Sequence, residues 1–172
     1  NSPWHLQGFA GTLANDWRVS TIFTLNSGGY STASNGSRYS DPTITGLGSR
    51  ADAVAGQSVL EPSITPVAGS TQGYLQYMNP AAFSTPALGP DSFGSAGVYT
   101  IPDPGMVNLD ASIFRTIPVT EGHSVQLRWD MFNLMNHPNW DAPGTRIGGS
   151  NVGVISGDAG PRIMQFAVKY VF

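Results

Sequence analysis

The chain has 172 residues, a net charge of −3, no cysteine, and only 11% charged residues beside Gly 21 and Pro 13, where an ordinary soluble domain carries about 25% charge. Those values exclude a basic nucleic-acid surface, a disulfide framework and a thiolate metal centre. No apolar run approaches the ~18 residues of a membrane-spanning helix. The length fits one domain with a sizeable core. The sequence begins at Asn1 without Met or a signal peptide, the mark of a processed product or of a piece of something longer.

In chain order, Trp4 to Asn26 predicts a hairpin. Trp17, Val19, Thr21, Phe23 and Leu25 alternate with Arg18, Ser20, Ile22 and Thr24, a β-branched and aromatic run. Asn15-Asp16 supplies turn chemistry before it, and the preceding strand is thinned by Gly8 and Gly11. Residues 27–106 then carry Ser, Gly, Thr and Pro without a sustained period, which predicts one very long loop. Such a loop is functional or covers something, and the clusters Gly73–Met78 and Pro80–Phe83 predict that it packs down.

The C-terminal strands fill residues 107–172. Val107, Leu109, Ala111 and Ile113 alternate with Asn108, Asp110 and Ser112. Thr120-Glu121-Gly122-His123 turns this segment into His123–Met135, where Val125, Leu127, Trp129 and Met131 alternate with Gln126, Arg128 and Asp130. A helix would set Arg128 and Asp130 about 200° apart and scatter the apolar residues, so the pattern is that of a strand. The short turn predicts antiparallel pairing with Leu109, Ile113, Leu127 and Trp129 on a common apolar face. Asn108, Asp110, Gln126, Arg128 and Asp130 then form a polar ladder on the opposite face. After a Pro/Gly-rich loop over 136–151 and a short strand within Val152–Ser156, the last segment runs from Arg162 to Phe172. There Met164, Phe166, Val168, Tyr170 and Phe172 alternate with Gln165, Ala167 and Lys169. The sum is an all-β chain of five or six antiparallel strands in a single β unit over 1–172, with no helix and no internal repeat.

DWRVSTIFTLNSGG at Asp16–Gly29, NPAAF at Asn79–Phe83 followed by Phe93-Gly94 and Pro104-Gly105, FNLMNHPNW at Phe132–Trp140, and PRIMQFAVKYVF at Pro161–Phe172 occur in this order. Together they resemble the C-terminal end of a TonB-dependent outer-membrane receptor of the Oar-like kind, with a carboxypeptidase-regulatory-like plug. Tyr30-Ser31 and Val98 depart from that pattern, where Pro-Phe and Arg are usual. The resemblance implies a non-catalytic barrel segment of an outer-membrane transporter, with the terminal aromatic Phe172 serving as the signal read by the assembly machinery. Such receptors have about 22 strands around a plugged lumen, so this sheet could not close on its own. The surface chemistry agrees, since an outer-membrane strand is apolar outward and polar inward with aromatics at its ends. A soluble β-sandwich alternates in the same way with its faces reversed.

Catalytic and metal sites are not expected. His123-Ser124 with Asp110 or Asp130 lacks a nucleophile elbow. His5, His123 and His137 are too scattered for a metal, and Asp103, Asp141 and Asp158 sit beside Gly or Pro as turn formers. Thr45–Ser49 lacks the glycines and context of a phosphate loop. No cofactor is implied. Three functions remain open: the transporter segment, a processed fragment that self-assembles by β-edge pairing into an oligomer or fibre, and a soluble β-sandwich binding module. The first two place the chain at the bacterial outer membrane or the extracellular surface. Its partners are then its own missing barrel strands or further copies of itself, joined along the edge strand Met164–Phe172.

Overall fold

The computed structural model describes residues 11, 15–35, 50–86 and 94–172. The strands are β1 (Arg18–Asn26), β2 (Tyr30–Ser31), β3 (Asp52–Ala53), β4 (Leu60–Pro66), β5 (Leu75–Met78), β6 (Phe83–Ser84), β7 (Ile101–Pro102), β8 (Met106–Thr120), β9 (His123–Phe132), β10 (Val154–Ile155) and β11 (Ile163–Val171). The fold is all-β and antiparallel, and no sheet among the described residues closes into a barrel. The first strand of the expected hairpin over 4–26 falls outside the described residues. The chain folds as two compact units. Asn1–Leu25, Val107–Pro138 and Gly160–Phe172 form the first, and Asn26–Met106 with Asn139–Ala159 form the second.

The first unit is a four-stranded sheet in the order β1-β8-β9-β11. Its central hairpin forms because two period-2 segments flank a turn at Glu121-Gly122, where Gly122 takes φ 80°, a conformation that L side chains resist. The register pairs Ala111 with Met131, Ile113 with Trp129 and Ile117 with Val125. It continues across β9 to β11, pairing Met131 with Met164, Trp129 with Phe166, Leu127 with Val168 and Val125 with Tyr170. Opposed residues share a face, so the expected apolar face exists and Lys169 lies on the other side. β9 ends at Phe132 rather than running to Met135, because Asn133 adopts φ 49° and turns the chain out of the ladder.

The second unit is where sequence and structure part company. The stretch over 27–106, expected as loop, carries six strands of two to seven residues. They pair as β2-β7, β3-β6 and β10-β5-β4. Ala33, Ala51, Met78, Ala82, Phe83, Ala96 and Ile101 form a buried core, with Val59, Ile147 and Val152 packed against it. Four of those seven are alanines, so the backbones themselves approach closely. Asn79-Pro80-Ala81-Ala82-Phe83 is the knot of this unit. Asn79 Oδ1 accepts from Ala81 N (3.0 Å) and caps a single 3-10 turn with Pro80 at its start. Its Nδ2 donates to Ser58 O (3.0 Å), while Ala82 and Phe83 point into the core. Ser31 Oγ donates to Asp103 Oδ1 (2.7 Å) across the β2-β7 pair, and Tyr77 Oη donates to Pro102 O (3.1 Å).

Candidate functional site

The chemistry of the first unit lies in the two faces and two ends of its sheet. On the apolar face Met164, Phe166, Val168 and Tyr170 are exposed, Phe166 at 66% and Val168 at 60%. Trp129 beside them is exposed as well. A sandwich buries such a face against a second sheet; here it is open. His123, Tyr170 and Phe172 gather at the tight-turn end. His123 and Tyr170 stack with ring centroids 5.7 Å apart and His123 Nδ1 lies 2.7 Å from Tyr170 Oη. Tyr170 stacks on Phe172 in turn, at 6.1 Å. Phe172 lies just past the end of β11, at 90% exposure.

The opposite face carries the polar ladder. Asn108 Nδ2 donates to Asp110 Oδ1 (2.9 Å), and Ser112 Oγ donates to Asp130 Oδ1 (2.7 Å). Arg128 Nε is ion-paired to Asp130 Oδ2 at 2.8 Å. Gln126 lies in register between Thr116 and Lys169. The five residues therefore share a face, linked as Asn108–Asp110 on one strand and Arg128–Asp130 on the next. The Arg128 side chain is well exposed, so its ion pair adds little stability. This face presents hydrogen-bonding groups to water.

Two further features follow from particular residues. Asn133 organises the turn after β9: its N donates to Asp110 Oδ1 (2.9 Å), and its Nδ2 donates to His137 O (3.0 Å) and Gly160 O (3.3 Å). Its Oδ1 accepts from His137 N (3.0 Å), and Asn136 Oδ1 accepts from Arg162 N (3.1 Å). The asparagines of Phe132–Trp140 thus join the end of β9 to the start of β11. The second feature is Arg115, which the sequence reading passed over. It pairs with Leu127, so it shares the apolar face. It is only 3% exposed, with its guanidinium 5.4 Å from the centroid of the Trp17 ring. The signal was present: a lone charge following Ile113 in an otherwise apolar alternation.

The residues weighed for catalysis do not converge. His123 faces Tyr170, Ser124 pairs in register with Pro118 and Val171, and Asp110 and Asp130 are engaged as described. Among the described residues no group of three His, Asp or Glu is placed to hold a metal ion. No described helix is long and apolar enough to cross a membrane, a fact without bearing on strands.

Connectivity adds a direction. The turn Glu121-Gly122 and the end of β11 share one end of the sheet. The long connections after β1 and β9 both leave from the other end and return to it. Short turns at one end, long loops at the other, and an apolar face backed by a polar one define the outer-membrane type of β-sheet. The family described as "Outer membrane beta barrel domain" matches residues 1–165. The chain belongs to that family and is a barrel segment of a bacterial outer-membrane protein. Nothing matches among curated proteins or among solved structures.

Proposed function

We propose that this chain supplies late, C-terminal strands to the barrel of a TonB-dependent-receptor-like importer, with no catalytic role of its own. The observation that carries the reading is the open apolar face of β9 and β11 beside the polar ladder of Asn108, Asp110, Gln126, Arg128 and Asp130. Lipid suits the first face, and a lumen or a plug suits the second. Phe132–Trp140, which carries the likeness to such receptors, is the segment that ties β9 to β11 through Asn133. In this reading the turn at Glu121-Gly122 and Phe172 face the periplasm, and the long connections face outward.

A second reading is favoured by the edges. Among the described residues β1 and β11 end the sheet, and Lys169 is the one charge within β11. A membrane barrel needs at least eight strands, and an edge so thinly charged templates pairing with another strand. Copies of the chain joined edge to edge would form an oligomer or fibre.

Sedimentation and far-ultraviolet circular dichroism, with and without detergent, test both. Ordered strands only in detergent or vesicles support the barrel reading, and ordered, salt-resistant oligomers in plain buffer support the second. A folded monomer at micromolar concentration in detergent-free buffer would overturn both. A plug-encoding segment in the same gene would support the importer reading over other barrels.

A further inference from the structure

Ser34 is the middle rung of a three-segment contact in the second unit. It bridges Arg50 antiparallel and Arg146 in parallel. The hydrogen bonds set the two on opposite sides. Ser34 N donates to Thr145 O (3.0 Å) and Ile147 N donates to Ser34 O (2.7 Å), so the backbone of Ser34 faces the segment of Arg146. Ala51 N donates to Ala33 O (3.1 Å), one residue back and so toward the other side. Directly opposed residues share a face. The sequence neighbours agree, because Ala33 and Ala51 are fully buried and Ile147 packs against the core. Ser34, Arg50 and Arg146 therefore lie together on the face turned away from that core.

Two of the chain's eight Lys and Arg residues thus flank one serine, in a sequence that is only 11% charged. Their mutual repulsion calls for an anion. Among the described residues neither guanidinium has a carboxylate within ion-pair distance. Asp52, two residues beyond Arg50, directs its Oδ1 to Ser95 N (2.8 Å). Both arginines are held by the backbone around them. Arg50 Nη1 donates to Ala96 O (3.0 Å), which orients the fork, and Gly94 packs so closely that a Cβ there would run into Arg50 O. Arg146 opens a turn that Gly149 N closes by donating to Arg146 O (3.1 Å). Groups already placed lower the entropy lost on binding.

The spacing selects the anion. Two strand separations of about 4.8 Å set the arginines roughly 10 Å apart across Ser34. A carboxylate is satisfied by one guanidinium fork, because both of its oxygens lie on one edge. Two forks from opposite sides, with a hydroxyl between them, suit an anion with three or more oxygens in a tetrahedral arrangement. A phosphate group has that shape, and its double charge offsets both cations. We propose that Arg50, Ser34 and Arg146 form a binding site for a phosphate group, carried by inorganic phosphate or by a phosphate monoester. The inference stands on the second unit alone and survives failure of the importer reading.

Isothermal titration calorimetry of the whole folded chain at low ionic strength tests it with inorganic phosphate, glycerol 3-phosphate and acetate. The expected result is a phosphate Kd on the order of 1 mM, about tenfold or more tighter than that of acetate, and weaker as salt is added. Equal affinity for the two phosphates assigns the site to the phosphate group itself, and preference for the ester assigns it to a phosphorylated ligand. Arg50→Gln and Arg146→Gln should each weaken binding about tenfold, and Gln at position 50 keeps an N–H for Ala96 O. Arg18→Gln, which removes the same charge from the first unit, should leave binding unchanged. If circular dichroism shows a Gln variant unfolded, Arg50→Lys and Arg146→Lys decide the matter, since they keep the charge, lose the fork and should still weaken phosphate binding. No binding at about 20 mM phosphate, no loss in the Arg50 and Arg146 variants, an equal loss in Arg18→Gln, or acetate bound as tightly as phosphate would overturn the proposal.

Discussion

Asp110 Oδ1 accepts a hydrogen bond from the backbone N of Asn133 at 2.9 Å, so a side chain of β8 caps the turn that ends β9. Asn133 holds φ 49° there while its carboxamide ties down His137 and Gly160. Replacing it by alanine loses those side-chain bonds, at about 0.5–1.5 kcal/mol each, and adds about 1 kcal/mol of left-handed backbone strain. Asn133→Ala should therefore cost about 2.5–5.5 kcal/mol in denaturant unfolding of the folded chain. Asn133→Gly should cost less, because only the side-chain bonds are lost. Equal losses for the two variants would show that backbone strain has no part in the effect.

Phe166 sits opposite Trp129, which sits opposite Ile113, across the middle of the apolar face. An arginine at such a position costs about 2–4 kcal/mol when it meets the bilayer midplane. Phe166→Arg should therefore cut folding into lipid vesicles sharply. Gln165→Arg, one residue back and on the polar face opposite Asp130, should fold nearly as the parent does. Urea titration of vesicle-inserted protein reads the difference, and similar losses at both positions would reverse the assignment of the faces.

The contact between Arg115 and Trp17 lends itself to a double-mutant cycle. A cation over an indole ring contributes about 0.5–2 kcal/mol, more where water is excluded, and Arg115 is buried. Arg115→Ala, Trp17→Ala and the double variant should give a coupling energy in that range. Strict additivity of the two single losses would mean that the ring and the guanidinium are neighbours without being partners.

Alkaline pH should loosen the second unit through Tyr77. Burial first, and the Asp103 carboxylate second, raise its pKa above the ordinary value for tyrosine. The folded chain then holds the phenolic proton more tightly than the unfolded chain does. That stabilisation is fully present below the ordinary pKa of about 10 and is lost as pH rises through the raised value. Tyr77→Phe should lose about 1 kcal/mol at neutral pH, where the bond to Pro102 O is gone. Its stability should then fall less steeply above pH 10 in unfolding curves recorded from pH 8 to 11.

The sheet was legible because its residues are long-period evidence: Leu127, Trp129 and Met131 alternate with Arg128 and Asp130 over a strand of ten residues. β2, β3, β6, β7 and β10 are two residues each, and two residues have no period to read. Their pairing is set by distant contacts such as Ser31 to Asp103, which composition does not announce. The same holds for the end of β9, since Leu134 and Met135 look as apolar as the strand before them. What stops the strand is the backbone of Asn133, held by partners from Asp110 and His137. The polar ladder was readable as a face, but its bonding was not: Asp130 chose Ser112 and Arg128, and Asp110 chose Asn108 and Asn133. Trp140, which closes the FNLMNHPNW segment, belongs to the second unit and bridges Asp158.

The β2-β7 pair bears on the order in which the chain can assemble. β8 and β9 are neighbours in sequence, whereas β1 must find β8 across the roughly eighty residues between Asn26 and Met106. Closing a flexible loop costs about 0.6 kcal/mol more for each doubling of its length, so that search starts at a disadvantage of about 3 kcal/mol against the two-residue turn at Glu121-Gly122. Tyr30 pairs with Pro102, Ser31 with Ile101, and Asp103 N donates to Gly29 O at 2.9 Å. Once those contacts form, the ends of the excursion are already side by side, and the remaining closure is that of a short loop. The excursion then acts as a clasp: the hairpin zips first, the second unit gathers its own ends, and β1 is delivered to β8 last.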